Sequence, residues 1–205
     1  MPLRCIALPA FAALTLQAVG IHGDHAFAAA SGSYDSQHAV HWDSGGMDFA
    51  WDATHAKSEY IDSGAFDVNK TIITGIKVAS KGEIFVTVPR WFAGVPSTLN
   101  KVALAADGST AQNPVLTPWP SWEMNAIGGD CSGLQYLQSM EIDNDGIMWA
   151  LDVGLVNTIG GPVDTTCPPK MVFIDTQTGD TVGDPYIFPD SVFSHTSGFP
   201  NDLVI

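Results

Sequence analysis

The chain has 205 residues, of which 45% are hydrophobic and only 15% are charged. This composition is sufficient for one domain with a buried core, and no low-complexity tract is present. With 22 acidic against 8 basic residues the formal net charge is −14, which disfavours nucleic-acid binding because phosphate groups would be repelled. The same charge attracts cations, including protonated amines.

The first 28 residues have the order of a secretory signal peptide. Arg4 supplies the positive charge, residues 6–20 are almost wholly apolar, and small residues follow near positions 20 and 28. The apolar run is shorter than the about 20 residues that a membrane-spanning helix needs, and a signal anchor is the alternative. We therefore predict cleavage after residue 20 or 28, a domain over residues 29–205, and a secreted protein with no membrane span.

The cysteines agree with export. Cys5 lies in the predicted signal peptide, which leaves Cys131 and Cys167. In an oxidising compartment these two residues allow one disulfide, which would stabilise the fold by about 3–4 kcal/mol; two separate free thiols are the alternative. Asn69 begins the sequon Asn-Lys-Thr, so it is a candidate glycosylation site in a secreted protein.

An internal repeat organises the chain. Residues 76–90 and 140–154 each contain a predicted strand, a turn ending in glycine, and a second strand. The turn glycines, Gly82 and Gly146, are 64 positions apart, and the strands on either side keep that offset. Each repeat therefore begins with a predicted β-hairpin.

A third strand is predicted after each hairpin, over residues 101–105 and 171–175. Three or four antiparallel strands per repeat are typical of propeller blades, and the long period indicates long loops, at 118–122 and 185–197. The same offset places the start of a third inner strand at residues 204–205. We therefore expect about two and a half blades of a longer ring, and a self-contained β-sandwich is the alternative.

Several motifs occur in a characteristic order. Among them are the run Pro-Trp-Pro-Ser-Trp-Glu-Met-Asn at residues 118–125 and segments 75–78, 84–91, 94–100, 130–135, 148–154, 167–170 and 201–204. Together, over about residues 42–205, they resemble the major royal jelly/Yellow family. The resemblance implies a secreted six-bladed β-propeller, so the predicted fold class is all-β, comprising the first two to three blades. Family members include pigmentation proteins, nutrient proteins, salivary amine-capturing proteins and proposed dopachrome-converting enzymes.

Four residues are candidates for ligand contact. Asn201 and Asp202 open the predicted third inner strand, and inner strands line a propeller channel; alternatively, Asp202 stabilises a loop. Trp91 could stack on an aromatic ligand, and Arg90 could bind an anionic group. Structural packing with a salt bridge between blades is the alternative for this pair.

The sequence contains no catalytic motif. Residues 141–146 resemble the start of an EF-hand loop, but their flanks are predicted strands, so we interpret them as a hairpin turn. The six histidines lack the i, i+4 spacing of a helical metal pair, and no nucleophile elbow, phosphate loop or dinucleotide fingerprint occurs. We therefore predict no catalytic residue, no metal and no cofactor.

The leading functional hypothesis is a secreted protein that binds small aromatic amines or catechols in a propeller channel. It depends on the resemblance and on the acidic composition. The first alternative is a dopachrome-converting enzyme of a melanin-type pathway, acting by general acid–base chemistry. The second is a structural or nutrient protein without a ligand.

Overall fold

The computed structural model describes residues 40–104 and 111–205. The predicted signal peptide lies outside these residues. In chain order the elements are β1 (Val40–His41), α1 (Lys57–Asp62), β2 (Gly75–Val78), β3 (Ile84–Thr87), β4 (Leu99–Val102), β5 (Ala111–Gln112), β6 (Leu116–Pro118), β7 (Leu137–Ile142), β8 (Ile147–Asp152), β9 (Lys170–Asp175) and β10 (Tyr186–Ile187), with 3-10 turns at Val68–Lys70 and Glu123–Asn125. The described chain is therefore all-β, with one six-residue helix.

The first sheet is antiparallel and has the strand order β2-β3-β4-β6. Gly82 closes the hairpin between β2 and β3 with φ of 87°, a left-handed conformation that favours glycine. Every residue of β3 is buried, as expected of a strand that is covered on both faces. Beside this sheet, the short strands β1 and β5 pair with each other in parallel.

The second sheet repeats this arrangement in the order β7-β8-β9-β10. Its hairpin closes at Gly146, with φ of 82°. The carboxylate of Asp143 accepts the backbone N–H groups of Asp145 and Ile147 and the indole N–H of Trp149 at 2.9–3.0 Å. The segment is therefore a hairpin turn, and residues 40–104 and 111–205 contain no cluster of three metal-binding side chains.

The predicted 64-residue offset is visible in contacts between the sheets. β2 lies beside β7, where the hydroxyl of Thr74 donates to the carbonyl of Gln138 at 3.3 Å. The N–H of Ala93 donates to the side-chain oxygen of Asn157 at 3.1 Å. Each pair is separated by 64 positions, so equivalent residues of the two repeats meet side by side.

The structure differs from the predicted strands in three places. The third strand of the first repeat is Leu99–Val102 rather than 101–105, and both repeats have a fourth strand, β6 and β10, that the sequence pattern did not reveal. Residues 201–205 belong to no strand. The fourth strands are only two or three residues long, which is too short for a period-2 pattern to be recognised.

The two larger apolar clusters stabilise the sheets. One combines residues of both sheets, including Phe85, Leu99, Leu137 and Met148, all fully buried. The other packs the opposite face of the first sheet against aromatic residues of segment 49–66. Burial of these faces is the main force that fixes the sheets, because each side chain of this size contributes about 1.5–3 kcal/mol. Neither described stretch contains a helix long and apolar enough to cross a bilayer.

Candidate functional site

Asn201 and Asp202 lie where β2 and β7 begin. With Thr74, Gly75, Gln138 and Ser139 they line a polar cleft of about 180 Å³. The Ser139 hydroxyl donates to a carboxylate oxygen of Asp202 at 2.5 Å. The structure thus brings both predicted residues to the neighbouring starts of two edge strands.

The carboxylate of Asp202 is exposed at the polar cleft. The hydrogen bond from Ser139, followed by the N–H of Leu203, lowers the pKa of Asp202 below its ordinary value. Lys77, which lowers it further by its charge, forms an ion pair with Glu141 across β2 and β7. Asp202 is therefore negatively charged at neutral pH and available to a cation.

Arg90 lies elsewhere, fully buried between the sheets. Its five N–H groups donate to the backbone carbonyls of Val95, Pro96, Asn125, Leu134 and Gln135. Burial lowers the pKa of Arg90 to about 10, so it remains cationic at neutral pH. Arg90 therefore has a structural role, and its partners are backbone carbonyls instead of the carboxylate of the salt bridge considered above. To bind an anion, Arg90 would have to give up one of these hydrogen bonds.

Trp91 is partly buried and packs on a small cluster of Tyr136, Val153 and Leu155. It does not line the polar cleft. Tyr136 connects the two regions, because its hydroxyl donates to the side-chain oxygen of Gln138 at 2.8 Å. Stacking of Trp91 on a ligand stays a prediction.

A second buried charged group, which the sequence did not predict, is Asp152 at the end of β8. Its oxygens accept the N–H groups of Gln135, Tyr136 and Gly154 at 2.8–2.9 Å. Lys170 lies 3.6 Å away. Burial raises the pKa of Asp152, while the charge of Lys170 and the three N–H groups act in the opposite direction.

The segment 131–136, which Asp152 and Lys170 hold by hydrogen bonds, is also cross-linked by a disulfide. Cys131 and Cys167 form a disulfide with an S–S distance of 2.02 Å, which confirms the predicted pairing. The Lys170 ammonium donates to the carbonyls of Cys131 and Gly133. Structural disulfides are typical of oxidising compartments, so this one is consistent with export.

The predicted glycosylation site is accessible. Asn69 is exposed in the 3-10 turn Val68–Lys70, and its side-chain nitrogen donates to Asp67 at 3.2 Å. Thr71, the third residue of the sequon, is buried and donates its hydroxyl to the Asp67 carbonyl at 3.2 Å. Glycosylation at Asn69 stays a prediction.

A cavity of about 550 Å³, which the sequence did not predict, lies beside Trp122 and Tyr60. We call it the aromatic pocket, and its lining includes His55, Tyr60, Phe92, Trp122, Glu123 and Arg90. The imidazole of His55 stacks on Trp122, with ring centres 4.6 Å apart and an interplanar angle of 11°. The aromatic residues in segments 49–66 and 118–125 were the one sequence signal of this pocket. The two segments are far apart in the chain, so the sequence does not show that they lie together.

The sequence of this chain is similar to those of known proteins. Residues 137–205 match the family described as major royal jelly protein. The chain is 30% identical to Protein yellow of Drosophila simulans and of Drosophila melanogaster over 146 residues, which are 71% of this chain and 26% of each relative. It is 30% identical to Protein yellow of Drosophila erecta over 157 residues, 77% of this chain and 28% of that protein.

The family match, residues 137–205, contains the second repeat. The part matched to Protein yellow spans about a quarter of the length of these relatives. Motif order, family match and relatives agree, and the chain belongs to the major royal jelly protein/Yellow family.

Proposed function

We propose that the protein is secreted and binds small aromatic amines, or related catechols, in the channel of a six-bladed β-propeller. In this proposal β2 and β7 are the first two inner strands, and residues 201–202 lie beside the starts of both. The observation that carries it is the position of Asp202, held by Ser139 at the starts of β2 and β7.

The polar cleft has the chemistry that an ammonium group requires. An ionised carboxylate, Asp202, lies beside the side chains of Thr74, Gln138 and Asn201, which supply further hydrogen-bonding oxygens. The net charge of −14 would steer a cationic ligand toward the protein. The cleft of about 180 Å³ is smaller than a typical small-molecule site, so the remaining inner strands of the proposed ring supply the other walls.

Binding is a better fit than dopachrome conversion. A general acid at neutral pH needs a raised carboxyl pKa, whereas hydrogen bonds lower the pKa of Asp202. Asp202 is also the one carboxylate that lines the polar cleft of the described residues. A lone ionised carboxylate among neutral polar groups favours recognition of a cation.

Calorimetric titration of tyramine into the intact protein tests this function. We expect Asp202→Asn to weaken tyramine binding at the cleft at least about 10-fold, because the amide lacks the negative charge. Asp184→Asn, at an exposed carboxylate away from the cleft, is the matched control and should bind as the wild type does. Equal affinity of the wild type and Asp202→Asn would remove the proposal, as would the absence of binding to the wild type.

A further inference from the structure

The aromatic pocket shares no lining residue with the polar cleft. We propose that it is a separate binding site for a small electron-rich aromatic ring, a phenol or an indole, which enters ring first and leaves any cationic substituent at the rim beside Glu123. This inference goes beyond the proposed function, because it concerns a different cavity and does not require a propeller channel.

The size and lining of the pocket fit a small ligand. Its volume of about 550 Å³ lies within the range of about 300–1,000 Å³ that is usual for small-molecule sites. Its lining is predominantly apolar and includes Val95, Ile127 and Val156. An aromatic ring that enters this cavity loses part of its contact with water, and burial of apolar surface is the principal source of affinity for an apolar ligand.

The pocket is held in shape before any ligand binds. Arg90 donates to the carbonyls of Val95 and Pro96 in the loop after β3 and to the carbonyl of Asn125 in the loop after β6. The Asn125 side chain in turn accepts the N–H groups of Thr98 and Leu99 at 2.9–3.0 Å. Because two buried side chains tie these walls together, a ligand does not have to order them, and this preserves affinity.

One wall presents aromatic rings in fixed positions. Trp122 stacks on His55 and also on Trp51, whose ring centre is 5.3 Å away at an interplanar angle of 29°. Tyr60 lies 5.6 Å from Trp122. The Nδ1 atom of His55 is 3.0 Å from a carboxylate oxygen of Asp52, which fixes the imidazole. An aromatic ligand gains about 0.5–1.5 kcal/mol from each favourable ring contact beyond the burial of area.

The charges of the pocket define the orientation of the ligand. Arg90 is buried in the lining, and among the described residues no carboxylate lies within ion-pair distance of it. Its positive field favours the electron-rich ring of a phenol or indole and repels an ammonium group. Glu123 is exposed at the pocket, so an ammonium group is favoured there instead.

Two probes of the same ring separate the pocket from the cleft: p-cresol, which has no charge, and tyramine, which adds an ammonium group. We expect p-cresol to bind the intact protein at one site in calorimetry. Ala126→Phe should weaken p-cresol at least about 10-fold, because Ala126 is exposed at the pocket and the larger ring occupies the ligand's space. Ala53→Phe, at an exposed position outside the pocket, is the matched control.

Two further variants complete the test. Ala65→Phe, at an exposed position in the segment after α1, fills the same pocket and replaces Ala126→Phe if that variant fails to fold. Glu123→Gln should weaken tyramine at this site about 5-fold and leave p-cresol unchanged, because only tyramine carries a cation. Asp202→Asn should leave p-cresol binding unchanged, since Asp202 lines the cleft.

Three outcomes would overturn the inference. They are no binding of p-cresol to the wild type, wild-type affinity for p-cresol in both filled variants, or loss of p-cresol binding in Asp202→Asn. The last result would locate all aromatic binding in the polar cleft and leave the proposed function intact. Two results together would support the pocket and contradict the proposed channel site. The pocket variants would abolish p-cresol binding, and Asp202→Asn would bind tyramine as the wild type does.

Discussion

The two sheets have the same strand order and the same glycine turn, yet the ends of their hairpins hold the segment between the sheets with opposite charges. At the end of the first sheet's hairpin, Arg90 donates to the carbonyls of Leu134 and Gln135. At the end of the second sheet's hairpin, Asp152 accepts the N–H groups of Gln135 and Tyr136. At residues 134–136 the connecting segment therefore gives two carbonyls to Arg90 and two N–H groups to Asp152.

This difference shows that the repeat specifies the strands but not the chemistry of their ends. At the 64-residue offset, Arg90 corresponds to Gly154, where an added Cβ would lie only 2.5 Å from the Cys167 carbonyl oxygen. Asp152 corresponds to Val88, which is fully buried in the apolar core. Neither charge could be exchanged for its counterpart, so each hairpin end is adapted to its own side of the connecting segment.

The largest expected effect comes from removing the cation. Arg90→Met would leave five buried carbonyls without a donor, and each unsatisfied group costs about 1–3 kcal/mol. After relaxation we expect a loss of about 5 kcal/mol in the free energy of unfolding, measured by denaturant titration of the intact protein.

Two variants calibrate that result. Arg90→Lys keeps the charge but has three donors for five carbonyls, so its loss should be smaller, and it serves if Arg90→Met does not fold. Lys81→Met, at an exposed position, should change stability by less than about 0.5 kcal/mol. A loss below about 2 kcal/mol for Arg90→Met would mean that water replaces the guanidinium, and the comparison between the two hairpin ends would fail.

Removing the anion should cost less. Asp152→Asn retains one acceptor oxygen, but its NH₂ group faces a backbone donor, and Lys170 loses its charged neighbour. We expect a loss of about 3 kcal/mol in the same titration, because Lys170 keeps its bonds to two carbonyls. The exposed turn variant Asp145→Asn is the control, and a loss for Asp152→Asn equal to that of Asp145→Asn would show that the carboxylate does not hold the segment.

The sequence was sufficient to predict the all-β class, the hairpins of both repeats and the disulfide. These features depend on short-range patterns, such as strand-turn-strand around Gly82 and Gly146, or on there being only two cysteines beyond the predicted signal peptide. The sequence also predicted that Asp202 opens a third inner strand, but residues 201–205 belong to no strand, and Asp202 instead accepts a hydrogen bond from Ser139 of β7.

The environment of Arg90 and the aromatic pocket could not be predicted, because each depends on distant backbone. The guanidinium reaches carbonyls up to 45 positions away, and carbonyl groups leave no signature in a sequence. His55, which precedes the first sheet in the chain, stacks on Trp122, which follows that sheet. Residue types therefore predicted the strands, whereas the side-chain partners required the three-dimensional arrangement.

The smallest expected effect concerns a charge pair that also joins the two sheets but lies nearer to solvent than Arg90 and Asp152 do. It therefore tests the comparison between the two hairpin ends. Lys77 and Glu141 join β2 to β7, with 35% and 23% of their side chains exposed. Water screens such a pair, so a double-mutant cycle with Lys77→Met and Glu141→Gln should give a coupling below about 1 kcal/mol. A coupling above about 2 kcal/mol would show that lateral contacts between the edge strands, rather than the connecting segment with its buried charges, hold the two sheets together.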